Sequence, residues 1–241
     1  MRDGSGKWLQ SQWRKLARLA LKAIETVSTD GRYPSVVVAG GTSLALDLEH
    51  RVTHDIECCI DSAMVIQRLV PVVNPVTKAM CLDMKTGIPR YQFVGHCLKL
   101  TVADVGEISF MSAAPILDDP TVTVDIDHRR LQRERPAEVI AKMIYCRGSQ
   151  LEACDVFDLA ATHFVMPGEL AIAADSPFMS PEVYARARLR IEARFESFRQ
   201  EMPREVNPTK TGTEIIGDAC TLALAALDSM EHGATLSPHP S

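Results

Sequence analysis

A chain of 241 residues with 46% hydrophobic residues can bury the core of one large or two small domains. Its formal charge of −5 and pI near 5.8 exclude a general nucleic-acid coat or a membrane-surface protein, since either would gain from a strongly positive field. Seven scattered cysteines without C-x-x-C spacing exclude a disulfide framework or zinc ribbon and point to a reducing, cytoplasmic setting, and no stretch approaches the roughly 20 apolar residues that span a bilayer.

Trp8, Leu9, Trp13, Leu16, Ala20, Ile24 and Val27 recur at helical spacing. Arg14, Lys15, Arg18 and Lys22 interrupt that run, so it reads as an amphipathic surface helix and not as a signal peptide. After turn signals at Thr29-Asp30-Gly31 and Pro34, Ser35 to Ala39 form a β-branched run suited to a buried strand. Thr42 to Leu48 is helix-compatible, and Asp55 to Ile60 alternates as a second strand. A helix over 63–73, strands over 91–94, 98–102 and 107–111, and an alternating strand over 121–126 follow.

From Pro136 the period turns helical. One helix opens there and stops at Gly148; a second runs from Gln150 to Phe164, ended by Pro167-Gly168. Ser180-Pro181-Glu182 opens a long helix over 181–202 with a stripe of Val183, Ala187, Ile191, Phe195, Phe198 and Met202. The last runs from Thr213 to Glu231 behind a Thr211-x-x-Glu214 capping box. This order predicts an α+β fold: an N-terminal mixed β-sheet lobe with flanking helices over 1–130, a C-terminal helical lobe over 131–231, and a disordered tail over 232–241.

The stretch VVVAGGTSLALDLEHRVTHDIECC, Val36 to Cys59, carries the chemistry. A glycine pair after a strand can be only a tight turn, and two acids on one strand face only a solvated edge. There is no Gly-Lys-Ser/Thr of a P-loop and no G-x-G-x-x-G of a dinucleotide fold. A zinc site from His50, His54 and Cys58 is conceivable, but a second clustered pair is missing. The reading that joins all features starts from the amides of Gly40, Gly41 and Thr42, which at a helix start form an anion cradle suited to a triphosphate. Asp55 and Glu57, two residues apart on a strand, face the same way and supply hard oxygen ligands for Mg2+.

AGGTSLALDLEHRVTHDIECC, Ala39 to Cys59, resembles the Gly-Gly-Thr/Ser and Asp-x-Asp/Glu motif of the polymerase-β-like nucleotidyltransferases, in particular the AbiEii/AbiGii-type toxin family of bacterial toxin-antitoxin and phage-defence systems. RPAEVIAKMIYCRGSQLEACDVFDLA, Arg135 to Ala160, is similar to that family's segment in which a lysine precedes an Arg-Gly turn and an Asp-x-x-Asp-Leu helix. The resemblance implies that Gly40, Gly41 and Thr42 hold nucleotide phosphates, that Asp55 and Glu57 bind Mg2+ or Mn2+, that Lys142 compensates phosphate charge, and that Asp155 completes the site. It further implies transfer of a nucleoside monophosphate from an NTP to RNA, foremost a tRNA 3′ end, and a cognate antitoxin as partner. Without it, Lys142, Asp155 and Asp158 read as ordinary helix-surface charges.

The chain departs from the family pattern in three places. Ser109 stands where many relatives carry a third aspartate, leaving Glu107 or Asp104 as substitutes; Cys154 replaces an arginine; and Glu57 replaces the commoner aspartate. Two other functions therefore stay open: transfer to a small molecule or protein side chain, and a catalytically silent NTP-binding module. Arg129, Arg130, Arg133, Arg135 and the arginines of 181–202 are candidates for RNA phosphate contacts or for pairing with their own helix neighbours, Glu192 and Glu196.

Overall fold

The computed structural model describes residues 11–28, 34–126 and 129–236. Trp8, Leu9, the turn signals at 29–31 and the tail over 237–241 lie outside the described residues. The architecture is α+β, in two compact units. The first comprises the chain to Thr42, Thr53–Ala114 and Thr121–Glu134; the second comprises Ser43–Val52, Pro115–Pro120 and the chain from Arg135. The first unit thus reaches past the boundary expected at 130, and the second takes two segments from the first half of the chain.

The first unit holds a seven-stranded mixed sheet in the order β3-β4-β5-β2-β1-β7-β6. The strands are β1 (Val36–Ala39), β2 (Asp55–Ile60), β3 (Tyr91–Val94), β4 (Cys97–Val102), β5 (Gly106–Met111), β6 (Thr121–Ile126) and β7 (Arg129–Glu134). β2 runs parallel to β5 and β1 parallel to β7; the other pairs are antiparallel. Alternation explains β2, β4 and β5, whose Ile56, Cys58, Ile60, Leu98, Leu100, Ile108 and Phe110 are buried. Helices α1 (Trp13–Glu25), α3 (Ala63–Leu69) and α4 (Pro75–Met80) pack against the sheet. α1 buries Leu16, Ala17, Ala20, Ala23 and Ile24 on one stripe, each large side chain contributing about 1.5–3 kcal/mol. The helix expected over 63–73 ends at Leu69, and a new one opens at Asn74-Pro75, where the Asn74 side chain accepts from the amides of Val76 and Thr77.

Gly106 fixes where β5 meets β2. It sits at φ +147°, and a Cβ there would lie 1.7 Å from the His54 carbonyl oxygen, which accepts from Glu107 N–H at 3.3 Å.

α2 (Gly40–Leu48) begins in the first unit and passes from Ser43 into the second. The second unit adds α5 (Pro136–Arg147), α6 (Ala153–Val165), α7 (Pro167–Ala174), α8 (Pro181–Ala193), α9 (Phe195–Glu205), α10 (Lys210–Ile215) and α11 (Ala219–Leu236). α11 packs on α6, α7 and α8, and its core includes Leu44, Ile140, Phe157, Leu159, Tyr184 and Leu227. Pro167 does not merely end α6: it occupies the first turn of α7. The helix expected over 181–202 divides at Arg194, and the last helix starts at Ala219 behind α10, whose cap is Thr209 and not Thr211. α11 continues to Leu236, so the first part of the tail expected to be disordered is helical. Among the described residues no single helix is long and apolar enough to cross a membrane.

Candidate functional site

Gly40 turns the end of β1 into α2 at φ +66°, a left-handed conformation that disfavours a side chain. A Cβ at this position would fall 1.6 Å from Glu57 Oε2, so the Glu57 carboxylate lies directly over the glycine. The antiparallel register brings this about, because Ala39 and Glu57 are partners across β1 and β2. Thr42 Oγ1 donates to the Asp55 carbonyl at 2.8 Å and ties the first turn of α2 to the start of β2. Along β2, Asp55 is exposed and Glu57 half-buried, between the buried Ile56 and Cys58. The glycine bend and the acidic pair thus lie together in the first unit.

Two groups of the expected phosphate cradle have protein partners. Gly40 N–H donates to Glu134 Oε2 at 3.1 Å; Glu134 is buried at the end of β7, and its Oε1 accepts from the Cys59 thiol at 3.8 Å. The Thr42 hydroxyl serves the Asp55 carbonyl. The amides of Gly41 and Thr42 belong to a first helical turn, where helix geometry supplies no carbonyl partner and the dipole favours an anion.

Glu107 is the register partner of Asp55, and Ser109 that of Glu57, across the parallel β2–β5 pair. Of the two candidate third carboxylates, Glu107 therefore stands beside Asp55, whereas Asp104 sits exposed in the β4–β5 turn at φ +58°. Glu107 Oε2 lies 3.0 Å from Lys99 Nζ, and its Oε1 accepts from Thr101 at 3.4 Å. The Lys99 ammonium is held above its ordinary pKa, first by the Glu107 hydrogen bond; partial burial opposes this, and the charges of Glu107 and Asp55 add to it. Burial pushes the Cys97 thiol up, Lys99 pulls it down, and Glu57 adds to the rise. One face of the sheet therefore carries Asp55, Glu57 and Glu107, and Lys99 acts on Asp55 and Glu107. Sequence reasoning missed both Lys99 and Glu134: alternation along CLKLTV carried the signal for the first, and only strand pairing reveals the second.

Among the described residues no group of three or more His, Cys, Asp or Glu side chains is placed to hold a metal ion. Asp55 and Glu57 fit Mg2+ or Mn2+ as a pair, since such ions take one or two carboxylates and complete their shell with substrate phosphates and water. The conceivable zinc set fits poorly. His50 is fully buried with Nε2 2.8 Å from Asp158 Oδ1, and burial, aided by Cys59 and Glu57, drives the Cys58 thiol far above its ordinary pKa, away from the thiolate that zinc needs.

The remaining expected site residues lie in the second unit. Lys142 Nζ is 2.8 Å from Glu138 Oε1, one turn earlier on α5, and the fully buried Glu138 carboxylate also accepts from the amides of Ile116 and Leu117. Asp155 closes a capping box with Glu152 at the start of α6 and pairs with Arg147 at 2.9 Å. Burial holds the Asp155 carboxyl above its ordinary pKa, against the pull of Arg147 and of the Glu152 amide. Asp158 takes Arg51 Nε at 2.7 Å and its NH2 group at 2.9 Å, beside His50. Several candidate RNA-binding arginines have internal partners: Arg129 pairs with Glu25, Arg135 with Glu169, Arg188 with Asp228 and Glu231, Arg194 with Glu201, and Arg199 with Glu196. Arg130 and Arg186 are exposed. All seven cysteines are free.

The contact at Gly40 yields a first prediction. Gly40→Ala should cost about 1–2 kcal/mol, from left-handed strain and displacement of the Glu57 carboxylate. Urea unfolding of Gly40→Ala, Glu57→Ala and the double variant checks it. The substitution should cost less once Glu57 is truncated; strict additivity would mean that the carboxylate does not rest on the glycine.

No protein-family model matches the chain, and no curated protein matches it.

Proposed function

We propose that the protein is a divalent-metal-dependent nucleotidyltransferase that moves a nucleoside monophosphate from an NTP to an acceptor hydroxyl, with RNA, foremost a tRNA 3′ end, as acceptor, and that it acts as the toxin of a toxin-antitoxin or phage-defence pair. The observation that carries this reading is the Glu57 carboxylate lying over Gly40, with Asp55 bound through its carbonyl to Thr42: an acidic pair and an amide-bearing helix start joined in one unit. Asp55 and Glu57 hold the metal side of the site, and the Gly41 and Thr42 amides meet phosphate oxygens. A bound Mg2+ or Mn2+ supplies charge stabilisation to the oxygens of an in-line displacement at phosphorus. Lys142 and Asp155 are assigned to phosphate charge and acceptor orientation by resemblance to the family alone.

The silent NTP-binding module is the second reading, and specific observations favour it. Ser109 stands opposite Glu57 where a third carboxylate would serve, and the Lys99 ammonium already compensates Glu107. Incubation with each labelled NTP, Mg2+ and either total RNA or protein separates the readings. Label in RNA, lost on chelation by EDTA, is the expected result. Label in protein or a small molecule would move the acceptor, and saturable NTP binding without pyrophosphate release would select the silent module. An absence of both binding and transfer would end the proposal.

A further inference from the structure

β3 is a terminal strand of the sheet, with β4 as its partner. Val94 and Cys97 pair across a two-residue turn with Gly95 at φ +58°, and Thr101 N–H donates to the Arg90 carbonyl at 3.0 Å. In an antiparallel pair, residues whose backbone groups face the partner alternate with residues whose groups face away. Gln92 and Val94 therefore face β4, as does the Arg90 carbonyl, while the Arg90 N–H donates to the Cys81 carbonyl at 2.7 Å beside a Leu82–Pro89 bridge; the N–H and C=O groups of Tyr91 and Phe93 point out from the edge of the sheet.

Natural edges are blunted by charge, proline or bulges within the strand. The sequence of β3, YQFV, holds none of these, though the strand is only four residues long and follows Pro89 and Arg90; the opposite terminal strand, β6, carries Asp125. The residues that flank β3 in the chain are apolar and positive. Met84, Ile88 and Val94 are 86%, 63% and 78% exposed. Lys78, Lys85 and Arg90 are exposed and make no ion pair among the described residues. Asp83, the sole carboxylate within residues 78–96, accepts from the amides of Lys85 and Thr86 at 2.8 and 3.2 Å, and the charges of Arg90 and Lys85 act on it, so it offsets one of the three cations. In a chain of net charge −5, residues 78–96 carry three Lys and Arg side chains against one carboxylate.

We infer that the outer edge of β3 receives an extended, alternately acidic and apolar segment of a partner polypeptide as an added strand. Main-chain hydrogen bonds to Tyr91 and Phe93 supply affinity, the exposed Met84, Ile88 and Val94 supply apolar contact, and Lys85 and Arg90 select an acidic sequence. A second copy of this chain is disfavoured, because pairing β3 with itself would bring the same cations together. The inference does not depend on the proposed chemistry.

The test uses the full chain and a short fluorescein-labelled peptide alternating valine and glutamate, beside its valine–lysine counterpart, read by fluorescence anisotropy. Saturable binding of the glutamate peptide, at least about tenfold tighter than the lysine peptide, is expected. Phe93→Pro removes one outward N–H and leaves the bonds to β4 in place, and it should weaken binding about tenfold or more. The paired Lys85→Glu and Arg90→Glu variant should do the same, and it carries the decision where circular dichroism shows that Phe93→Pro fails to fold. No saturable binding of the glutamate peptide, equal binding of the two peptides, or full binding by a folded Phe93→Pro protein would overturn the inference. So would a concentration-dependent dimer abolished by Phe93→Pro, which would assign the edge to a second copy.

Discussion

Asp55→Asn is expected to lower label transfer from NTP to acceptor about 10³-fold while leaving the fold intact. In the proposed site the carboxylate is one of two hard anionic groups offered to a divalent ion, and loss of a metal's charge stabilisation is worth several kcal/mol, each 1.36 kcal/mol being tenfold in rate. The side chain is exposed at the start of β2, and the bond that ties Asp55 to Thr42 uses its backbone carbonyl, which the substitution retains. Unfolding free energy should therefore move by no more than about 0.5 kcal/mol. Transfer by a folded Asp55→Asn protein at the wild-type rate would remove Asp55 from the metal site. If the chain is instead a silent module, the same variant should weaken Mg2+-dependent NTP binding and leave metal-free binding unchanged.

The strands that alternate were legible to within one residue, β4 and β5 each starting one residue before the expected bound. β2, β3 and β6 have the bounds read from the sequence; β2 and β6 have side chains of contrasting polarity on their two faces, and β3 is an aromatic and β-branched run ended by Gly95. β7 was not legible: RRLQRE carries four charged groups and one large apolar one, and it was read as a source of phosphate contacts. Pairing with β1 and β6 holds it as a strand, and the same pairing buries Glu134 against Gly40 and Cys59. Tertiary context overrode pattern there, as it did in the second unit at Arg194, where no glycine or proline marks the break between α8 and α9. Asn74-Pro75 and Thr209 did carry the start signals of α4 and α10, but the apolar run before Asn74 obscured the first and the competing Thr211-x-x-Glu214 pattern the second. For the candidate site, the motif residues were visible because bend and strand follow one another in the chain. The Lys99–Glu107 pair and the buried Glu134 come from other strands and depend on register, which a single sequence does not display.

Asp158→Asn should destabilise the second unit by about 3–5 kcal/mol, because it removes the charge from a buried ion pair. Asp158 binds Arg51 through both oxygens and His50 through one, while Thr162 Oγ1 donates to its backbone carbonyl. His50 stacks on Phe157, and its own carbonyl accepts from Thr209 N–H, so a single carboxylate joins the chain after α2, helix α6 and the approach to α10. Burial alone would push the Asp158 carboxyl up; the Arg51 guanidinium and the His50 hydrogen bond outweigh it and hold the carboxyl below its ordinary pKa. The unfolded chain, with a carboxyl near its usual value of about 3.9, then binds more protons than the native chain between the two values, and stability rises with pH across that window. The contribution is complete above about pH 4 to 5 and disappears as pH falls through the lowered native value. Urea unfolding at neutral pH should show the full loss in Asp158→Asn, and a series of acidic buffers should show that the gap between wild type and variant narrows as pH falls. A neutral-pH difference under about 1 kcal/mol, or a gap that widens in acid, would mean that the Arg51–Asp158 pair does not hold these segments together.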